Sequence, residues 1–153
     1  MGDGLPYTGS SAIEFPDRFR LEIDGVFTIV LDKDKGWVKS QAGVTDMTAE
    51  QLEVQLRDHR AGWIASLLPL GDKAFALTSL AAVKVKDRDA SAIQVSAKDY
   101  PEVKLYFDNA NHLLAKSEFR TNALDLKKEV LMEIYYSDFR AVDGAKVPHK
   151  IDM

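Results

Sequence analysis

No cysteine occurs in the 153 residues, which excludes a disulfide scaffold, a cysteine nucleophile and every thiolate metal site. Histidine is nearly as scarce. His59, His112 and His149 never show the i, i+2 or i, i+4 spacing that sets two imidazoles on one metal, so they are expected as surface residues and no metal site is expected. The longest nearly apolar run, Trp63 to Leu70, is far short of the roughly 20 residues a membrane-spanning helix needs. An excess of positive charge is also missing. Lys plus Arg is 20 against 24 Asp plus Glu, a net charge of −4, which offers no electrostatic footprint for nucleic acid.

Catalytic motifs are absent as well. There is no phosphate loop, no Gly-x-Gly-x-x-Gly opening a helix and no Gly-x-Ser-x-Gly elbow. Asp32 and Asp34 begin like a calcium loop, but Trp37 and Gly43 stand where that loop needs its glycine and its glutamate, so a charged hairpin tip is expected. The remaining acids fall on turns or on the exposed phase of strands. No catalytic residue and no cofactor are assigned, and the chain is read as a non-enzyme.

What is present is enough apolar chain for one core, with 46% hydrophobic and 29% charged residues. Residues 1–12 have neither a basic n-region nor an apolar h-region and read as a flexible leader to a single domain over 13–153. Period-2 segments then recur between turn signals. Arg18 to Ile23 alternates, with Phe19, Leu21 and Ile23 on one face and Arg18, Arg20 and Glu22 on the other. Asp24 and Gly25 predict a two-residue turn into Val26 to Leu31, which is apolar on both faces and needs a cover on each. Further strands are expected at Trp37 to Lys39, Lys73 to Thr78 (Phe75 and Leu77 on one face), Val83 to Lys86, Ala92 to Lys98 (Ile93 and Val95 inward), Val103 to Phe107, Leu113 to Arg120 and Val130 to Arg140. A second Asp-Gly turn, Asp143 and Gly144, leads to a last strand that Pro148 confines to an edge.

One long helix interrupts the strands. Thr48 and Gln51 form a capping-box pattern, Met47 is placed to staple onto Leu52, and Leu52, Leu56, His59, Trp63 and Leu67 make one helical stripe before Pro69 and Gly71 stop it. The expected fold is α+β and mainly β: a single, highly curved antiparallel sheet of about nine strands, an incomplete half-barrel, with the helix across its concave face. Such a sheet leaves an apolar cavity, lined by Phe19, Leu21, Phe27, Ile29, Trp63, Leu67, Phe75 and Phe107. The alternative is a filled core and an interaction domain acting through an exposed edge at Val147 and Pro148.

Several segments carry a family likeness. Phe15 to Ile23, the hairpin into Lys35 to Val38, the mid-chain helix, Val103 to Asp108 followed by Leu113 and Leu114, and Tyr136 to Phe139 leading to Val142 through Pro148 together resemble the LolA-like family over about residues 13 to 152. That family comprises periplasmic carriers of outer-membrane lipoproteins and relatives that handle other lipids or sense lipoprotein state. The resemblance implies a curved sheet whose apolar concave face, lidded by helices, accepts lipid or lipoprotein acyl chains. It also implies export to the periplasm and an acceptor protein in the outer membrane or envelope. The chain departs from the pattern in two ways. It is expected to lack the family's N-terminal helix and last strand or strands. The carriers' cavity-facing Arg before the proline is Phe15 here, and neither Arg18 nor Arg20 replaces it, since both alternate to the face opposite Phe19.

Overall fold

The computed structural model describes residues 7–123 and 128–153. The chain divides into two compact units, Met1–Arg60 and Ala61–Met153. Residues 1–6 of the expected leader lie outside the described residues, whereas residues 9–12 belong to a strand.

In the first unit, Gly9–Glu14 (β1), Arg18–Ile23 (β2), Phe27–Asp32 (β3), Lys35–Ser40 (β4) and Gly43–Asp46 (β5) form a five-stranded antiparallel meander in sequence order. Its register pairs Phe19 with Leu31, Leu21 with Ile29 and Ile23 with Phe27. Opposed residues share a face, so β2 and β3 present six large apolar side chains on one side of the sheet. The turn that sets this register differs from the expected one. Asp24, Gly25 and Val26 form a three-residue loop, in which Gly25 takes φ +71 and the Val26 N–H donates to the Ile23 carbonyl at 3.0 Å. A two-residue turn would have paired Ile23 with Val26 and set Thr28 and Val30 opposite Leu21 and Phe19. The extra residue puts Phe27, Ile29 and Leu31 there instead.

Ala49–Ala65 (α1) follows β5 and carries the chain into the second unit. Its capping box forms as expected: the Thr48 hydroxyl accepts from the Gln51 N–H at 3.2 Å, and the Gln51 side chain accepts from the Thr48 N–H at 2.9 Å. Met47 and Leu52 converge on buried Gly36 of β4, where an added Cβ would lie 2.7 Å from the Met47 sulfur and 3.1 Å from a Leu52 methyl. A side chain at Gly36 would force Met47, Leu52 and Leu31 to shift. The helix ends at Ser66, whose hydroxyl donates to the Trp63 carbonyl, and Leu67 turns left-handed (φ 67) before a 3-10 turn at Leu68–Gly71.

The single predicted helical stripe is corrected. The most buried helix residues are Val54, Ala61, Ile64 and Ala65. They lie about half a turn round from Leu52, Leu56, His59 and Trp63, which are half-buried. The helix buries two faces, as a helix without a wide polar side does.

The second unit holds Ala76–Ser79 (β6), Val83–Val85 (β7), Arg88–Ser96 (β8), Val103–Asp108 (β9), Leu114–Ala123 (β10), Lys128–Val142 (β11) and Ala145–Asp152 (β12). They form a second antiparallel sheet in the order β12-β11-β10-β9-β8-β6, with β7 also paired to β8. The expectation of one strongly curved sheet of about nine strands is therefore corrected to two sheets of five and seven strands, neither closed nor strongly curled. The physical reason lies between β5 and β6. Short turns pair successive strands, but there the chain runs through the whole helix and the 3-10 turn, and nothing keeps β6 in register with β5.

The core of the second unit is well filled. Val95, Val103 and Leu105 are fully buried, packed with Ala61, Ile64, Phe75 and Phe119. Phe75 lies just before β6 and is buried, whereas Leu77 within β6 is half exposed. Val130, Met132, Ile134 and Tyr136 alternate as expected, and the last three flank this core. The other sheet face carries a smaller cluster of Val85, Ala90, Ala92 and Tyr106. The β11–β12 turn is the predicted two-residue one: Val142 pairs with Ala145, with Asp143 at φ 46 and Gly144 at φ 84. β12 is an edge strand, as Pro148 requires.

Candidate apolar binding surface

The eight lining residues predicted from sequence fall four in each unit. Phe19, Leu21, Phe27 and Ile29 come together on the apolar face of β2 and β3. Each is only half-buried, and of the six apolar residues on that face only Leu31 is fully buried, at 2% exposure. Leu31 sits at the Gly36 end, beneath Met47 and Leu52. In the second unit, Trp63 and Phe75 meet edge to face at 5.8 Å with Tyr100 against both, and Phe107 flanks the same core. Leu67 stands apart at the left-handed helix end, 39% exposed.

Sequence reasoning misplaced His59. Rather than a surface group, it is a half-buried imidazole between two aromatic rings, stacked on Phe15 at 5.2 Å and tilted against Phe19 at 5.2 Å. Its Nε2 is buried without a hydrogen-bond partner. Burial holds the imidazole below its ordinary pKa, with Asp17 opposing and Arg60 reinforcing the shift. Next to it the Arg60 guanidinium donates to Asp17 at 2.8 Å. The helix is thus tied to the turn after Phe15 by one ring stack and one ion pair. The available signal was His59's place on the helical stripe beside Leu56 and Trp63.

The two arginines of β2 lie on the far face, as their alternation predicts. Arg18 pairs with Glu14 and Asp32, and Arg20 with Glu22. Between them Val30, Trp37 and Ala12 floor a shallow depression of about 410 Å³. Both guanidiniums are already matched by carboxylates, so this depression offers no free charge to a ligand. Asp32 and Lys35 close the charged hairpin tip expected in place of a calcium loop.

The outer face of the second sheet holds an ion network that is already satisfied. Lys116 lies between the rings of Tyr106 and Tyr135 and donates to Glu118 and Glu133. Burial opposes its charge, yet the bonds to the two glutamates outweigh this and raise its pKa. Tyr106 is pushed up to about 12 by burial and by Glu118. With every charge matched, the network serves packing rather than proton transfer. Among the described residues no group of three or more His, Asp or Glu could hold a metal ion, and no helix is long and apolar enough to cross a membrane.

No family model and no curated protein matches the chain. Solved structures do. The fold is similar to that of a LolA superfamily protein from Nitrosomonas europaea, with TM-score 0.57 and 15% identity over 95% of this chain and 67% of that chain. It is also similar to a domain described as an outer membrane lipoprotein-sorting protein from Vibrio parahaemolyticus, with TM-score 0.52 and 14% identity over 95% of this chain and 68% of that one. The chain resembles the LolA superfamily in fold.

Proposed function

We propose that this protein binds acyl chains of lipids or lipoproteins without chemical turnover, as a carrier or sensor in the bacterial envelope. The observation that carries the reading is the apolar face of β2 and β3, where Phe19, Leu21, Phe27 and Ile29 are brought together but only partly buried. Partly accessible apolar surface gains roughly 0.8 kcal/mol for each ligand methylene it removes from water. The fold likeness to a lipoprotein-sorting domain supports the same ligand class, a periplasmic or otherwise exported location and an envelope acceptor protein. Trp63, Leu67, Phe75 and Phe107 stay in the proposal as lining residues. Trp63, Phe75 and Phe107 also belong to or flank the packed core.

Phe15 bears on the hand-over step. In place of a cavity-facing cation it offers a ring to His59, so retention here rests on apolar contact rather than on a buried charge. The alternative, an interaction domain acting through the edge at Val147 and Pro148, has the exposed Val147 and Ile151 in its favour, but the backbone of that edge works against it. Its outward-facing positions are Lys146, Pro148 and Lys150, residues that discourage strand addition.

Native mass spectrometry of the purified protein, followed by solvent extraction, tests the reading. A co-purifying acyl species near one per chain, or uptake of added palmitate, is expected. A clean apo mass with no uptake of palmitate or of a triacylated lipopeptide would overturn it.

A further inference from the structure

β10 and β11 run side by side only as far as Lys116 and Tyr135. Beyond them β11 continues to Val142 with β12 as its registered partner, while β10 begins at Leu114 behind a register irregularity between Leu114 and Lys116. The two strands part around a notch of about 290 Å³, with Leu113, Leu114 and Ala115 on one side and Ser137, Asp138 and Phe139 on the other.

Hairpin geometry decides which backbone groups face this notch. Val142 and Ala145 flank a two-residue turn, so they exchange both hydrogen bonds, and bonded pairs recur at every second position. Pro148 confirms the phase. It opposes Phe139 and has no N–H, so that pair cannot be a bonded one. Asp138, at φ 51, interrupts the ladder between them. The N–H and C=O groups of Ser137, Phe139 and Ala141 therefore point away from β12, to the side β10 does not reach.

The two edges of this ribbon are unlike. On the outer edge the outward positions are Lys146, Pro148 and Lys150, which block an incoming strand by charge and by a missing donor. The inner edge carries neither device at Ser137, Phe139 and Ala141, and the notch beside it is lined by Leu113, Leu114 and Phe139 together with Asn111 and the Arg88–Asp108 ion pair. A row of alternating donors and acceptors is matched by polypeptide backbone and not by an acyl chain. We propose that the notch takes an extended segment of a partner protein as an added strand antiparallel to β11, with one side chain of that segment seated against the partly buried Leu113 and Phe139. This inference is independent of acyl binding.

A random peptide library displayed on phage and selected against the full chain supplies the probe. The enriched peptide is then synthesised and titrated. Ala141→Pro removes a donor that faces the notch, and Lys146→Pro removes one that faces outward on the opposite edge, so the two variants carry matched costs to the hairpin. The expected result is that Ala141→Pro weakens binding by about tenfold or more while Lys146→Pro changes it by less than about twofold, with Ser137, Phe139 and Ala141 amides protected from exchange only in the complex. N-methylating the peptide at alternate residues should abolish binding too, which keeps the test decisive if Ala141→Pro fails to fold. A library with no enrichment over bare support, or equal losses in the two variants, overturns the proposal. A concentration-dependent dimer abolished by Ala141→Pro also overturns it, by giving the notch to a second copy of the chain.

Discussion

The two sheets use the same alternation and reach opposite ends. In the second unit the alternating positions of β8 and β9 close on each other until Val95, Val103 and Leu105 are completely buried. In the first unit the matching positions of β2 and β3 are equally apolar, yet Leu31 is the only one of six to lose nearly all its exposure. One sheet spends its apolar residues on stability, and the other keeps them accessible. On the proposed function, stability and acyl binding at the β2–β3 face are therefore separable by mutation.

The largest expected effect follows directly. Leu105→Ala should lose about 2–5 kcal/mol of unfolding free energy, the usual cost of a cavity in a filled core. Leu21→Ala, made on the half-exposed face, should lose less than about 1.5 kcal/mol while weakening palmitate uptake several-fold. Urea unfolding can read the two units apart, since Trp37 lies in the first and Trp63 in the second. Equal stability losses for the two variants, with unchanged uptake in Leu21→Ala, would break the comparison. Trp63→Ala sharpens it: about 3 kcal/mol or more is expected, because the ring packs on Phe75 and Tyr100.

A smaller effect belongs to pH. His59 is held below its ordinary value of 6.5 in the folded chain, so the unfolded chain binds the proton more readily. Its contribution to stability is complete above pH 6.5 and is lost as pH falls through the depressed folded value. Melting temperature should therefore drop on acidification below pH 6.5, and less so in His59→Phe, which keeps the ring stack without the titration. A variant with an unchanged acid slope would remove His59 from the account.

The smallest effects lie along the helix. Thr48→Ala removes the hydroxyl that caps the Gln51 N–H and should cost about 1 kcal/mol. Gly62→Ala should stabilise by about 0.5–1 kcal/mol, since an added Cβ meets nothing within 4 Å and glycine is poor inside a helix. A destabilised Gly62→Ala protein would mean that the helix needs freedom at that residue.

Local devices were legible wherever their physics is local. The capping box at Thr48 and Gln51, the charged tip at Asp32, the Asp143–Gly144 turn and the edge position of Pro148 each depend on a few adjacent residues. The alternation of Phe19, Leu21, Phe27 and Ile29 was legible for the same reason. The Asp24–Gly25 turn was not, although its dipeptide equals the one at Asp143. In its strand Phe27–Asp32 the fully apolar phase is Phe27, Ile29 and Leu31, and the pairing that sets Ile29 beside Leu21 prevails over the preferred turn length. Neither the burial of His59 nor the strand formed by residues 9–12 could be read, because each depends on partners elsewhere in the chain: Phe15 and Phe19 for the imidazole, and β2 for the strand.

By itself, the sequence determined most of the strands (though not Gly9–Glu14 or Gly43–Asp46), the helix with its start, an apolar face on β2 and the absence of thiol chemistry. Those follow from periodicity, caps and composition, which act over a few residues. Only the tertiary structure decided that the strands divide into two sheets, that the helix buries two faces, and that β10 and β11 part at Lys116 and Tyr135. Each of these is settled by which distant surfaces meet, a contest of packing that no local pattern encodes.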